Sequence, residues 1–275
     1  MPELPEVETY VRDLRPRVVG RRIVSATLSH SDILSGVTKA RLVKRLTGAR
    51  ISDVTRRAKH AVVVLDNSAR LVVQPGMTGS LMAIRKPLPP DEARYIVLHA
   101  RLERGTALVY HDVRRIGTLR LLDEPAWERF SAAIGPEPLG EEWTLEQFVA
   151  TLGGSRQAIK KLLMDQRKVA GVGNIYANEA LFLAGIDPSK PANRLTESQA
   201  GRLRREIRRI LAEAIAASGT TFRDYRTGTG EPGNFQLELL VYGREGDPCK
   251  ACGTTLTGTH TLDARITVFC HRCQR

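Results

Sequence analysis

No apolar stretch of the 275-residue chain approaches the ~20 residues that a membrane-spanning helix needs. Runs such as Ala61-Val62-Val63-Val64-Leu65 stop far short. The opening Met1-Pro2-Glu3-Leu4-Pro5-Glu6 is acidic and lacks an apolar core, so no signal peptide is expected. No internal repeat and no low-complexity tract interrupts the chain, and no cysteine precedes Cys249. Acidic residues are in deficit: 30 Asp and Glu stand against 42 Lys and Arg, a net charge of +12. With 42% hydrophobic residues a packed core is feasible and wholesale disorder is excluded. These features describe a soluble, cytoplasmic protein of one large or two ordinary domains. Its surplus of positive charge favours an anionic partner, nucleic acid first. A basic, well-solvated surface would read the same way from charge alone.

Two regimes follow one another. From about residue 20 to 122, short β-branched or apolar runs read as strands: Ala61 to Leu65, Leu71 to Gln74, Ala93 to His99, Ala107 to Tyr110 and Thr118 to Leu122. Turn residues such as Asp66-Asn67-Ser68 and Ile116-Gly117 separate them. No long helical period interrupts this half, so a β-sandwich or barrel is expected. Gly135-Pro136-Glu137-Pro138-Leu139-Gly140 resists both helix and strand and reads as a hinge. Helical spacing takes over beyond it. Thr144-Leu145-Glu146-Gln147 forms a capping box, Ser155 can cap a second helix, Ile175 to Ala184 forms a third, and Thr196-Glu197-Ser198-Gln199 caps a long fourth. The arginines of that fourth helix, Arg202 to Arg209, read as a solvated face. At the N-terminus Pro5 suits a first helical position, and Val7, Val11 and Leu14 make a buried stripe. The division expected is 1–134 for the β-rich catalytic domain, 135–143 for the hinge, 144–242 for the helical domain and 243–275 for a cysteine-bearing module.

Cys249-x2-Cys252-x17-Cys270-x2-Cys273 is the strongest local signal. Each C-x2-C turn offers two thiolates, and two such turns complete a tetrahedral four-thiolate zinc site with no open position, hence a structural one. Disulfides would satisfy the spacing as well, but a cytosolic chain disfavours them. The 17 intervening residues suit a β-hairpin, with Arg265 on its returning strand, where it could meet a phosphate or simply be solvated.

Removal of Met1 would leave Pro2 as a free secondary amine. An α-amino group is unprotonated at neutral pH roughly 300 times more often than a lysine. Such an amine can attack an electrophilic carbon and yield an iminium ion, with Glu3 beside it as general acid or base. A proline that merely starts the chain is the bland reading. Ala170-Gly171-Val172-Gly173-Asn174 could bring helix-start amides to a phosphate, or could be a tight turn between helices.

These segments together resemble the formamidopyrimidine-DNA glycosylases. The residues that carry the resemblance are Met1 to Thr9, Arg57-Ala58-Lys59, Pro75-Gly76-Met77-Thr78-Gly79, Asp112-Val113-Arg114-Arg115-Ile116-Gly117, Ala158-Ile159-Lys160 through Gln166, Gly171 to Tyr176, Phe235-Gln236, Val241-Tyr242-Gly243-Arg244 and the four cysteines. Leu4, where endonuclease VIII enzymes typically have glycine, and Thr220 to Tyr225 point to the oxidised-purine branch. The resemblance implies a two-domain α+β fold: an N-terminal helix plus β-sandwich, then a helical domain with a helix-two-turn-helix motif and a zinc-finger hairpin. It implies a monomer acting on damaged double-stranded DNA, without a membrane, as a bifunctional glycosylase and abasic-site lyase. It assigns Pro2, Glu3, Lys59 and Arg265 to catalysis. Met77, Arg114, Ile116, Lys160, Asn174 and Tyr242 would contact DNA, with Arg114 facing the orphaned cytosine. Residues 219–235 would cap the extruded base, Thr220, Arg223 and Tyr225 among them. One structural zinc ion would sit on Cys249, Cys252, Cys270 and Cys273.

Two departures fall on the DNA-probing surface. Ile116 stands where the family usually has Phe, and an isoleucine wedge cannot stack. Gln74-Pro75 stand where the family usually has His-Leu. The alternatives are an endonuclease VIII-like glycosylase for oxidised pyrimidines and a non-catalytic zinc-dependent DNA-binding protein.

Overall fold

The structure, a computed structural model, describes residues 2–220 and 235–275. The chain divides into two compact units. One holds the chain up to Ala132 together with the segment that begins at Ala217; the other holds Ala133–Ala216 and Phe235–Arg275. Among the described residues no helix is long and apolar enough to cross a membrane.

The first unit opens with α1 (Leu4–Val18), followed by β1 (Ile23–Leu28), α2 (Lys39–Leu46), β2 (Ile51–Arg57), β3 (His60–Leu65), β4 (Arg70–Gln74) and β5 (Gly79–Ile84). It continues with the single turn α3 (Pro90–Ala93), then β6 (Ile96–Leu102), β7 (Ala107–Asp112), β8 (Thr118–Leu122) and α4 (Glu124–Ala132). The strands pair antiparallel in two four-stranded sheets, ordered β1-β6-β7-β5 and β2-β3-β4-β8. Alternation selects the inner face: Ala61, Val63 and Leu65 of β3 and Leu71 and Val73 of β4 join one core cluster with Leu98, Leu108, Tyr110 and the α1 stripe Val7, Val11 and Leu14. The apolar pattern thus yields the expected helix plus β-sandwich.

Several local expectations shift. The amphipathic α2 lies within the stretch of about 20 to 122 that the sequence pattern reads as strands alone, and α4 follows directly after it. The strand expected from Ala93 starts at Ile96, because Pro90 opens a helical turn. Pro5 occupies the second helical position, since Leu4 is the first and Glu3 the N-cap.

The second unit holds α5 (Leu145–Gly153), α6 (Ile159–Met164), α7 (Asn174–Leu183) and α8 (Glu197–Ala216), followed by the short hairpin β9 (Thr257–Thr259) and β10 (Thr267–Phe269). Thr144 Oγ1 caps α5 by accepting from Gln147 N at 3.3 Å. Thr196 and Gln199 cap α8 reciprocally, at 3.2 and 3.1 Å. Ser155 caps no helix; Ala158 precedes α6 in an extended conformation and offers no side-chain oxygen. Two arginines of α8 are not merely solvated. Arg204 donates to Trp143 O and Arg208 to Pro138 O and Gly140 O, pinning the Pro- and Gly-rich segment to the helix.

Candidate active site and nucleic-acid interface

In the first unit, Pro2 and Glu3 are both buried at the start of α1. Glu3 caps the helix, and its backbone N–H donates to Glu6 Oε2 at 2.7 Å. The other Glu6 oxygen accepts from Thr220 N at 2.9 Å. Glu6 is therefore a buried carboxylate that joins the catalytic candidate Glu3 to Thr220, the second residue of the expected lesion-capping segment. A carboxylate near a helix N-terminus is favoured by the helix dipole as well. Arg223 and Tyr225 lie outside the described residues.

Lys59 sits in the two-residue turn between β2 and β3, where Ala58 takes a left-handed conformation at φ 51°. Arg56 fixes that turn. Its guanidinium pairs with Glu8 of α1 at 2.9 Å and donates to Ala58 O at 3.1 Å. Helix α1 thus carries Pro2 at its start and anchors the Lys59 turn one helical turn further on.

His60, next to Lys59, has its pKa lowered to about 4, first by burial and then by the positive charges of Arg120 and Lys59. Its Nδ1 donates to Arg57 O at 3.1 Å, and its ring meets Phe130 edge-on. The unfolded chain would protonate this histidine near 6.5, so it binds the proton first as pH falls. The stability that depends on a neutral His60 is complete above about pH 6.5 and declines toward pH 4. The melting temperature of wild type is expected to fall more steeply over that window than that of His60→Gln; parallel curves would contradict this.

Met77, Arg114 and Ile116 project from two neighbouring loops, one between β4 and β5 and one between β7 and β8. Met77 is 44% exposed, Val113 45% and Ile116 51%, half of the large exposed apolar side chains among the described residues. Arg114 is exposed beside them. Apolar residues this exposed beside an arginine are suited to entering a base stack. Gln74 accepts from Thr118 Oγ1 at 3.4 Å, so its amide is engaged with the sheet at the base of these loops.

In the second unit, the four cysteine sulfurs lie within 4.8 Å of one another. Cys249 Sγ is 4.0 Å from Cys273 Sγ, and Cys252 Sγ is 3.5 Å from Cys270 Sγ. Zn–S bonds of about 2.3 Å in a tetrahedron require S···S near 3.8 Å, so the set fits zinc closely. Cys249 and Cys270 also pack in a small core with Val241, Leu256, Val268 and Phe182 of α7.

The hairpin is wired to the helices. Lys160, expected as a DNA contact, is fully buried; its ammonium donates to Ile266 O at 3.0 Å and Thr267 Oγ1 at 2.7 Å. Its place is beneath the hairpin, not on an exposed surface. Asn174 Nδ2 donates to the same Ile266 O at 3.0 Å, and Asn178 Oδ1 accepts from Val268 N at 2.8 Å. Gly171 needs its glycine, with φ +79°, and Gln166 braces the turn by accepting from Gly171 N and donating to Val172 O. Arg265 lies in the turn that leads into β10, two residues before Thr267, and not on the returning strand as expected. It is exposed, and with Lys161 and Arg167 it lines an open groove beside α6.

Tyr242 is positioned by a residue that sequence reasoning did not single out. Glu179 of α7 accepts backbone N–H donors from Leu240, Val241 and Tyr242 at 2.9, 2.9 and 2.7 Å. Burial pushes its carboxyl above the ordinary range, against the pull of these three amides. The available signal is that Glu179 is the one charged residue of α7.

Comparison with known proteins agrees with this geometry. Residues 1–119 match the formamidopyrimidine-DNA glycosylase N-terminal domain, and residues 134–226 match the formamidopyrimidine-DNA glycosylase H2TH domain. A formamidopyrimidine-DNA glycosylase of Stutzerimonas stutzeri is 46% identical over 100% of both chains, and one of Xanthomonas campestris pv. campestris is 41% identical over the same share. Among solved structures, the MutM (Fpg) protein of Thermus thermophilus superimposes with a TM-score of 0.87 at 40% identity, covering 99% of this chain and 98% of that one. A Lactococcus lactis Fpg in complex with DNA containing an abasic site gives a TM-score of 0.90 at 34% identity, covering 99% of each chain.

Proposed function

The chain belongs to the formamidopyrimidine-DNA glycosylase family of base-excision-repair enzymes, and from that premise we propose that it excises oxidised purines from duplex DNA and cuts the strand at the resulting abasic site. The observation that carries this reading is the fixed N-terminus: Pro2 buried just before α1, Glu3 as the helix cap, and Glu6 tying Glu3 to Thr220.

The reaction needs the damaged nucleoside outside the stack, because C1′ is out of reach within a duplex. Once Met1 is removed, the Pro2 nitrogen attacks C1′ with its lone pair. The glycosidic bond breaks, the base leaves with that bond's electron pair, and the proton shed by the now positive Pro2 nitrogen neutralises it. Glu3 protonates O4′ as the sugar ring opens, leaving a C1′ iminium on Pro2. Loss of a C2′ proton then expels the 3′ phosphate, and loss of a C4′ proton expels the 5′ phosphate. Lys59, Asn174, Tyr242 and Arg265 hold backbone phosphates, while Met77, Arg114 and Ile116 fill the space that the extruded nucleoside leaves. Lys160 supports the Arg265 hairpin from below. A zinc ion on the four thiolates is structural, and the enzyme works as a cytoplasmic monomer.

Excision of 8-oxoguanine opposite cytosine, compared with excision of thymine glycol, tests the substrate. The proposal expects 8-oxoguanine to be released faster. Faster release of thymine glycol would assign the endonuclease VIII-like preference, and release of neither base would leave a DNA-binding protein.

The two cations should fail differently. Arg114→Ala should weaken the preference for cytosine opposite the lesion, because a guanidinium fork matches the acceptors of a cytosine edge; such a contact carries about 1–3 kcal/mol, or roughly 5- to 150-fold. Lys59→Ala should weaken all duplexes alike and reduce the salt dependence by about one ion. The measurement is excision opposite each of the four bases. An unchanged profile in Arg114→Ala would leave Arg114 as one more phosphate contact.

A further inference from the structure

The residues that probe the duplex stand on two loops 36 residues apart in sequence, and one fully buried carboxylate holds both. Asp112, the last residue of β7, accepts from Thr78 Oγ1 at 2.5 Å through Oδ1. Its Oδ2 accepts from Tyr110 OH at 2.9 Å and from Gly117 N at 3.0 Å. Thr78 Oγ1 in turn accepts from Arg114 N at 3.0 Å. Thr78 follows Met77, and Gly117 follows Ile116. Every probing residue is therefore either bonded directly to this cluster or is the chain neighbour of a residue that is.

Glycines at the junction leave no slack. A Cβ on Gly76 would lie 2.6 Å from Ile116 Cγ1 and 2.7 Å from Gly117 N, and one on Gly79 or Gly117 would overlap Tyr110 OH. The two loops thus meet backbone to backbone. The cluster also reaches α1. Gly79 pairs with Asp112 in the β5–β7 ladder, and Gly79 O accepts from Tyr10 OH at 3.1 Å. Tyr10 is a buried residue of the helix that begins beside Pro2.

We propose that Asp112, acting through Thr78, is a positioning residue for opposite-base specificity: it locks Met77, Arg114 and Ile116 into one rigid reading head. This inference rests on the glycosylase reading above. A buried carboxylate can only accept, and its donors are directional, so the cluster admits one arrangement of the two loops. Loss of one bond within it leaves buried polar atoms without their partners and lets the Arg114 backbone move relative to Met77. The guanidinium would then face the orphaned base without a fixed register. The reaction at Pro2 does not involve these atoms, so discrimination should be lost while chemistry survives.

Thr78→Val and Thr78→Ser separate the role from mere packing. Valine matches threonine in shape but cannot donate to Asp112 or accept from Arg114; serine restores the hydroxyl. Asp112→Asn, which puts an amide donor against the same partners, is the second probe. Two rates are measured for the full chain: 8-oxoguanine excision opposite cytosine and adenine, and borohydride trapping on a duplex that already carries an abasic site. Thr78→Val should lose about tenfold in the cytosine-over-adenine ratio, the scale of one base contact. Its trapping rate should stay at the wild-type value, and Thr78→Ser should keep the wild-type ratio. An unchanged ratio in Thr78→Val overturns the inference. So does a parallel fall of excision and trapping on every duplex, which marks a structural defect. If Asp112→Asn does not fold, the threonine pair decides alone. Wild-type protein that traps on no duplex overturns the glycosylase reading itself, and the inference with it.

Discussion

Pro2→Gly is expected to lower strand cleavage at an abasic site on the order of 100-fold or more while duplex affinity stays near the wild-type value. A secondary amine gives an iminium that carries its positive charge at any pH. A glycine amine gives an imine that must first be protonated before it can draw electrons from C2′. Retention of Met1 should be more severe, because an amide nitrogen has no lone pair to donate. Binding is expected to survive because its cations, Lys59 and Arg265, lie elsewhere in the chain, and because α1 keeps its Glu3 cap and its buried stripe. The check is cleavage of a labelled abasic duplex beside a binding titration of the same preparation. Normal cleavage by a protein verified to retain Met1 would remove Pro2 from the chemistry.

The second large effect concerns the metal. Cys270→Ser, or removal of zinc by a chelator, is expected to weaken duplex binding by at least about tenfold, the order of a few lost phosphate contacts. The β-sheet signal of the first unit should remain. The thiolates share a core with Val241, Leu256, Val268 and Phe182, so their loss loosens Tyr242 on one side and the Arg265 turn on the other. It also removes the hairpin carbonyl, Ile266 O, on which Lys160 and Asn174 converge. The first unit has its own core, built from α1 and both sheets, and no residue of the cysteine cluster belongs to it. Structural zinc couples its binding energy to folding, and here that folding is local. The measurement is affinity with zinc content determined on the same sample. Near-normal affinity in verified zinc-free protein would contradict the account.

Features that rest on short-range spacing are legible in the sequence itself. Two residues between each cysteine pair dictate the thiolate site. Thr144 and Thr196 cap their helices because the partner lies three positions on, and the β-branched and apolar runs of β3 and β4 mark them as strands. What stays hidden depends on partners far away in sequence. Asp112 meets Thr78 across 34 positions, and Glu6 meets Thr220 across 214. Lys160 is assigned to DNA by the resemblance alone, and nothing in its local sequence marks it as buried. Its burial follows from a hairpin that begins about a hundred residues later. Helix α2 escapes notice because only Leu42 and Leu46 face inward, too few to establish a period. The residues of β5 begin with Gly79 and Ser80 and show no β-branched run, yet the ladder with β7 fixes them as a strand.

The central claim is that residue 2 is the nucleophile. Its most direct measurement is borohydride reduction of the protein with an 8-oxoguanine:cytosine duplex, followed by digestion and mass analysis of the covalent peptide. Hydride converts a C1′ iminium into a stable amine, so the attachment site is retained through digestion. The account predicts a single adduct on an N-terminal peptide that begins at Pro2. An adduct on Lys59 or another lysine, or no adduct from protein that still binds the duplex, would contradict it.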